Sequence, residues 1–234
     1  MASRTPAPGT PAPRSRRERP AKPALTYQGI VDTAVAVMRA DGLRRVTMRR
    51  LAQELDTGPA SLYVYVANTA ELHAAILEEL LGAVDLKPAT ARGDWRERLV
   101  TVLGAYTLIL FEHPSLAHSA LVARPSGPNY LALVEAILAL LHEGKVPDAQ
   151  AAWGVDVLLQ VATATAAEQS TRDQAIDAAD EHNALVAALR DVNPAPHPRI
   201  SALSADLVSG TPSQRLAWIF RTVVNGVRTT PIVE

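Results

Sequence analysis

The chain has 234 residues, 48% of them hydrophobic, with no cysteine and a net charge of −1, enough for one large or two small domains around a sizeable core. The missing thiol excludes disulfides, cysteine nucleophiles and thiolate zinc sites and fits a reducing cytoplasm. No apolar run approaches the ~20 residues that span a bilayer, and the N-terminus lacks the apolar stretch of a signal peptide.

The near-neutral total hides an asymmetry. Residues 1–24 carry Arg4, Arg14, Arg16, Arg17, Arg19 and Lys22 against Glu18 alone, a surplus of five positive charges that leaves the rest of the chain at −6. A basic arm on an acidic body suggests that one end meets a polyanion, although a solvated tail is the plainer reading. The arm also holds Pro6, Pro8, Pro11, Pro13, Pro20 and Pro23, so residues 1–24 are expected to be disordered or locally polyproline-like.

A first helix is predicted from Tyr27 to Ala40, with Ile30, Val31, Ala34, Val35 and Met38 on its inner face and Gly42 as its stop. Thr47 then caps a short helix whose packing residues are Met48, Leu51, Ala52 and Leu55. Asp56-Thr57-Gly58 interrupts it, and Pro59 suits the first turn of a further helix reaching Val66. Two helices joined by so tight a turn form a helix-turn-helix, whose second helix can enter a DNA major groove. An ordinary solvated helical hairpin shares the pattern. Asn68 with Glu71 opens a fourth helix that links two domains, residues 25–84 and 92–234, across Asp85–Gly93.

The second domain reads as helices throughout. Asp94 with Glu97 is expected to form a capping box before the apolar series Leu99, Val102, Leu103, Tyr106 and Leu110. His113-Pro114 starts a short helix to about Val122. An apolar helix covers Asn129–Glu143, and Pro147 opens a long one to about Ser170. Thr171–Arg190 is helical and less buried, and Asn193–Arg199, with three prolines, is a loop. Thr211 caps the last helix, where Leu216, Ile219, Phe220, Val223, Val224 and Val227 recur at a spacing suited to another helix. That stripe is assigned to a dimer interface, with packing inside one subunit as the competing reading. The fold class is all-α: an N-terminal helix-turn-helix domain of three helices plus a larger C-terminal bundle.

Residues 27–81 resemble the DNA-binding domain of the TetR (tetracycline-repressor) family of bacterial regulators. The resemblance is carried by Gly42-Leu43, Thr47, Leu51-Ala52, Leu55, Leu62-Tyr63, Val66, Asn68 and Glu71-Leu72. Residues 94–170 are similar to the C-terminal domain of the tetracycline-repressor branch at Asp94-Trp95-Arg96, His113-Pro114, Arg124-Pro125 and Glu143-Gly144. The resemblance implies a homodimer that reads a palindromic operator, represses transcription and is released by a small-molecule effector. Carried over by position, Arg49 matches a base-reading residue, and Thr47 and Tyr63 match phosphate contacts. Pro59, Ala60 and Ser61 stand where the recognition helix faces base edges, and Tyr65 where the family often has His. Thr69 departs from the Lys common at that place, which removes one phosphate contact.

A ligand pocket in the C-terminal bundle is expected among Tyr106, Leu110, Arg124, Tyr130, Val134, Ile137, Trp153, Leu158 and Gln160. Ala120 and Ala136 stand where the resemblance calls for a metal-linked His and a hydrogen-bonding Gln, so a tetracycline-magnesium ligand is not expected. No metal or cofactor is expected, since the six histidines have no ligand spacing. The cluster Asp173, Asp177, Asp180 and Glu181 reads as a solvated face. No phosphate loop or nucleophile elbow suggests an enzyme. The alternative to a regulator is a helical protein that binds or sequesters a small molecule without specific DNA binding. It is favoured by the surplus of only one positive charge in residues 25–68.

Overall fold

In a computed structural model of the chain, residues 24–122, 124–174 and 178–232 are described. The predicted basic arm, Ala24 excepted, and the Asp173 and Asp177 side chains lie outside them. Among the described residues the fold is eleven α-helices and no strand. The first four are α1 (Tyr27–Asp41), α2 (Met48–Glu54), α3 (Pro59–Leu62) and α4 (Thr69–Leu81). The bundle follows as α5 (Trp95–Glu112), α6 (Pro114–Ala120), α7 (Pro128–Glu143), α8 (Asp148–Gln174), α9 (Ala178–Arg190), α10 (Pro198–Leu207) and α11 (Pro212–Thr229).

The helix starts obey local capping chemistry. Thr26, Thr47 and Asn68 each accept a hydrogen bond from the backbone amide three residues on, at 3.0, 3.1 and 2.9 Å. Thr211 and Gln214 exchange both bonds of a capping box. Two predicted boxes depart from that form. Glu71 reaches back to the amide of Ala67 rather than Asn68. Glu97 leaves the start of α5 altogether, because Arg221 on α11 takes its carboxylate with two bonds of 2.9 and 2.7 Å.

Other boundaries differ too. The recognition helix is a single turn, Pro59–Leu62, and Tyr63–Tyr65 continue as turns rather than helix. The predicted linker contains a 3₁₀ turn at Lys87–Thr90. α8 runs past Thr171, whose hydroxyl donates to the Ala167 carbonyl at 3.0 Å, so the polar residue costs the helix little. α10 was not predicted; it begins at Pro198, inside the expected loop.

Two apolar cores form, and α4 belongs to both. Leu72, Ala75, Ile76 and Leu80 join α1, α2 and α3 in the N-terminal core, while Leu77 and Leu81 join the bundle core. Residues on two sides of one helix thus weld the domains together. The bundle returns the contact: Leu116 of α6 is buried in the N-terminal core.

The stripe on α11 is divided, two of its residues buried inside the chain and four partly exposed. Phe220 and Val224 are fully buried within the chain, and Leu216, Val223 and Val227 pack on the same core, against α5 and α8. Ile219 is half-buried. Helical periodicity marks a face that must be covered and does not say which chain covers it. What α8 and α11 expose instead are Trp153, 64% accessible, and Trp218, 67% accessible.

Candidate functional site

The N-terminal domain presents its polar residues on the outer side of α2 and α3. Thr47 accepts from the Arg50 amide and keeps its hydroxyl proton free for an outside acceptor. Arg50 is engaged, at 3.3 Å from Asp41 and 2.8 Å from Glu54. Arg49 is exposed and forms no ion pair among the described residues. Pro59, Ala60 and Ser61 are exposed, and Tyr63 beside them is 54% accessible.

Two features here were not legible in the sequence. Tyr65, placed among the DNA contacts, donates its hydroxyl to the Leu25 carbonyl at 2.9 Å, which ties down the chain just after the basic arm. Its proton is therefore used inside the molecule. Val64, between two tyrosines, is 82% accessible. It turns outward because the helix ends at Leu62, so residues 63–65 no longer follow the helical face.

The C-terminal bundle holds a small cavity of about 70 Å³ that opens to solvent. Its walls come from α5 (Tyr106), α6 and the turn after it (Ala120, Leu121), the Arg124-Pro125 loop, α7 (Tyr130) and α8 (Leu159, Gln160, Thr163). Tyr106, Arg124, Tyr130 and Gln160 were among the residues expected there. Leu110, Ile137 and Leu158 are instead fully buried core, and Val134 packs against that core. Trp153 lies on the outer surface of α8. On that helix the lining residues are Leu159, Gln160 and Thr163, the first and last one turn apart and rotated from Leu158. The size of Thr163 gave no signal; its hydrogen bond to the Tyr106 hydroxyl, at 2.8 Å, is what places it.

The cavity is polar at specific points. Burial pushes the Tyr106 hydroxyl up to about 12, so it stays protonated and remains a donor. Burial also raises Tyr130, against the pull of the neighbouring Arg124. Arg124 pairs with Asp156 at the mouth, and that bond raises its own pKa. Among the described residues no cluster of His, Asp and Glu could hold a metal. A second groove, lined by Glu135, Leu138, His142 and Asp148, is open surface between α7 and α8.

The bundle and the N-terminal domain meet through α4. His73 Nδ1 lies 2.8 Å from Ser119 Oγ on α6. Glu78 accepts from the amides of Asn129 and Tyr130 at the start of α7, at 2.6 and 3.2 Å.

Two family models match the chain. Residues 30–76 match the bacterial regulatory proteins of the tetR family, and residues 87–229 match the tetracycline repressor-like C-terminal domain. The chain belongs to the TetR family. A crystal structure of a Streptomyces coelicolor protein described as a transcription regulator is 60% identical, covers 91% of this chain and 99% of that one, and has a TM-score of 0.76. The TetR-family protein ActR of Streptomyces coelicolor, in complex with actinorhodin, is 32% identical over 88% of this chain and 96% of its own, with a TM-score of 0.75. The transcriptional repressor DrrR1 of Streptomyces coeruleorubidus is 34% identical over 54% of this chain and 47% of its own. The chain spans about half the length of the curated relatives it matches. Family membership accounts for the shared helix-turn-helix and bundle. No single helix among the described residues is long and apolar enough to cross a membrane.

Proposed function

We propose that the chain is a cytoplasmic transcriptional repressor that binds a palindromic operator as a homodimer and is released by a small-molecule effector. The observation that carries the reading is Arg49. It is exposed and, among the described residues, unpaired, next to an Arg50 held by two carboxylates. A free guanidinium can fork onto O6 and N7 of guanine. Thr47 and Tyr63 offer hydroxyl protons to phosphates, and the small surface of Pro59, Ala60 and Ser61, with Val64, suits thymine methyl groups. One turn of recognition helix makes few contacts. Two of them on a two-fold axis, roughly 34–36 Å apart, can read one face of the duplex. The exposed tryptophans of α8 and α11 are the surface we assign to the partner copy.

The effector reading rests on the cavity. Tyr106, Tyr130, Gln160 and Arg124, lining the cavity with the apolar Ala120, Leu121 and Leu159, favour a flat aromatic molecule bearing phenol or carboxylate groups. ActR, with actinorhodin bound, makes that compound the first probe. In population terms the effector must prefer the state that spreads the two heads away from the half-site spacing. The test is a mobility shift on the DNA upstream of the chain's own gene, with and without actinorhodin. A specific complex released by the compound is expected. No specific complex at low salt would favour the sequestering protein instead.

A further inference from the structure

The start of α7 lacks a cap of its own. Its N-cap residue is Gly127, which has no side chain to offer the free amides of the first turn. The missing acceptor comes from the other domain. Glu78 of α4 takes the Asn129 amide at 2.6 Å and the Tyr130 amide at 3.2 Å. The favour is returned, since Asn129 Nδ2 donates to the Glu78 carbonyl at 3.0 Å, in the last turn of α4 where carbonyls have no helical partner. A carboxylate at the positive end of a helix adds charge to the bond. Space is arranged for it: a Cβ on Gly127 would lie 2.5 Å from the Glu78 carboxyl, and one on Gly82 3.3 Å from Asn129 Nδ2.

The two helix ends therefore cap each other, and they belong to different functional parts. α4 is core to the reading head through Leu72, Ala75 and Ile76. α7 carries Tyr130, a wall of the cavity, on the very residue whose amide Glu78 holds. We infer that Glu78 is the positioning residue that transmits the state of the cavity to α4, through the amides of Asn129 and Tyr130. An occupant that displaces Tyr130 moves the start of α7, and the carboxylate carries that displacement into α4. The competing route runs through α6, by the His73–Ser119 bond and Leu116, and does not use Glu78. The inference rests on reading the cavity as the effector site.

A substitution cycle on the full chain tests it. Tyr130→Trp crowds the cavity wall in three backgrounds, namely wild type, Glu78→Gln and Glu78→Ala, and hydrogen exchange is followed in peptides covering residues 69–81. With Glu78 present, Tyr130→Trp should change exchange in α4 about threefold or more. In Glu78→Ala the change should vanish. Glu78→Gln, which keeps one acceptor oxygen and the side-chain shape, should fall between. Gly127→Ala should mimic Glu78→Ala with the carboxylate intact, by pushing it off the helix end. Thermal melts of each background verify folding. An equal response in all backgrounds assigns the relay to α6 and overturns the inference, as does no response in wild type. Failure of actinorhodin to bind counts against the effector reading alone, and the cycle still decides Glu78.

Discussion

Arg49 and Arg50 differ in sequence by one position and in the structure by everything around them. Arg50 is matched to Asp41 and Glu54 at the surface, while Arg49 forms no ion pair among the described residues. Arg49→Ala should therefore weaken operator binding by about 1–3 kcal/mol and random-DNA binding much less, read by fluorescence anisotropy. Arg50→Ala should cost under about 1 kcal/mol of stability, because exposed ion pairs are screened, and should spare base discrimination. Equal losses on both DNAs for Arg49→Ala would reduce it to a phosphate contact. Tyr65 carries a prediction of the opposite kind. Tyr65→Phe removes its bond to Leu25 and should cost roughly 0.5–1.5 kcal/mol in a thermal melt. Protease cleavage ahead of Leu25 should speed up in parallel. Periodicity could not separate these roles: Arg49, Tyr63 and Tyr65 all read as outward-facing, and only the partners on neighbouring segments distinguish them.

At the scale of elements, most helices were legible because capping residues and apolar spacing agreed. Thr47, Asn68, Asp94 and Thr211 each cap the helix that follows them. The misses share a cause. Pro194, Pro196 and Pro198 read as a loop, yet Pro198 occupies the first turn of α10, where its missing amide is harmless. Glu97 and Glu78 act on helices far along the chain, which no local pattern encodes. The joint between α4 and α6 adds a pH dependence. Burial lowers the pKa of His73 below its usual value, so the folded state holds fewer protons there than the unfolded chain does. Stability from this residue is present above about pH 6.5 and is lost as the pH falls below it. His113, also lowered by burial, acts in the same direction. His73→Gln should flatten the fall in denaturation midpoint between about pH 7 and 5. An unchanged slope would mean that His73 binds protons equally in the folded and unfolded states.

Across the whole molecule, the bundle was legible and its outer face was not. Phe220 and Val224 of the stripe on α11 are buried by their own chain, and the tryptophans left outside are the surface we assign to a partner copy. Trp218→Glu and Trp153→Glu should shift the protein toward monomer in sedimentation, with helix content unchanged. Operator affinity should collapse with them, since a single head cannot span both half-sites. A dimer that persists in both variants would place the interface elsewhere. The two cores have a further consequence. Leu116 sits in the N-terminal core and α4 is split between both, so neither half ends where the polypeptide linker begins. Halves exchanged between relatives at residues 85–93 would meet as mismatched surfaces. A working hybrid must carry α4 and α6 from the same parent, so the inheritable module of this protein is a pair of helices from two domains rather than either domain itself.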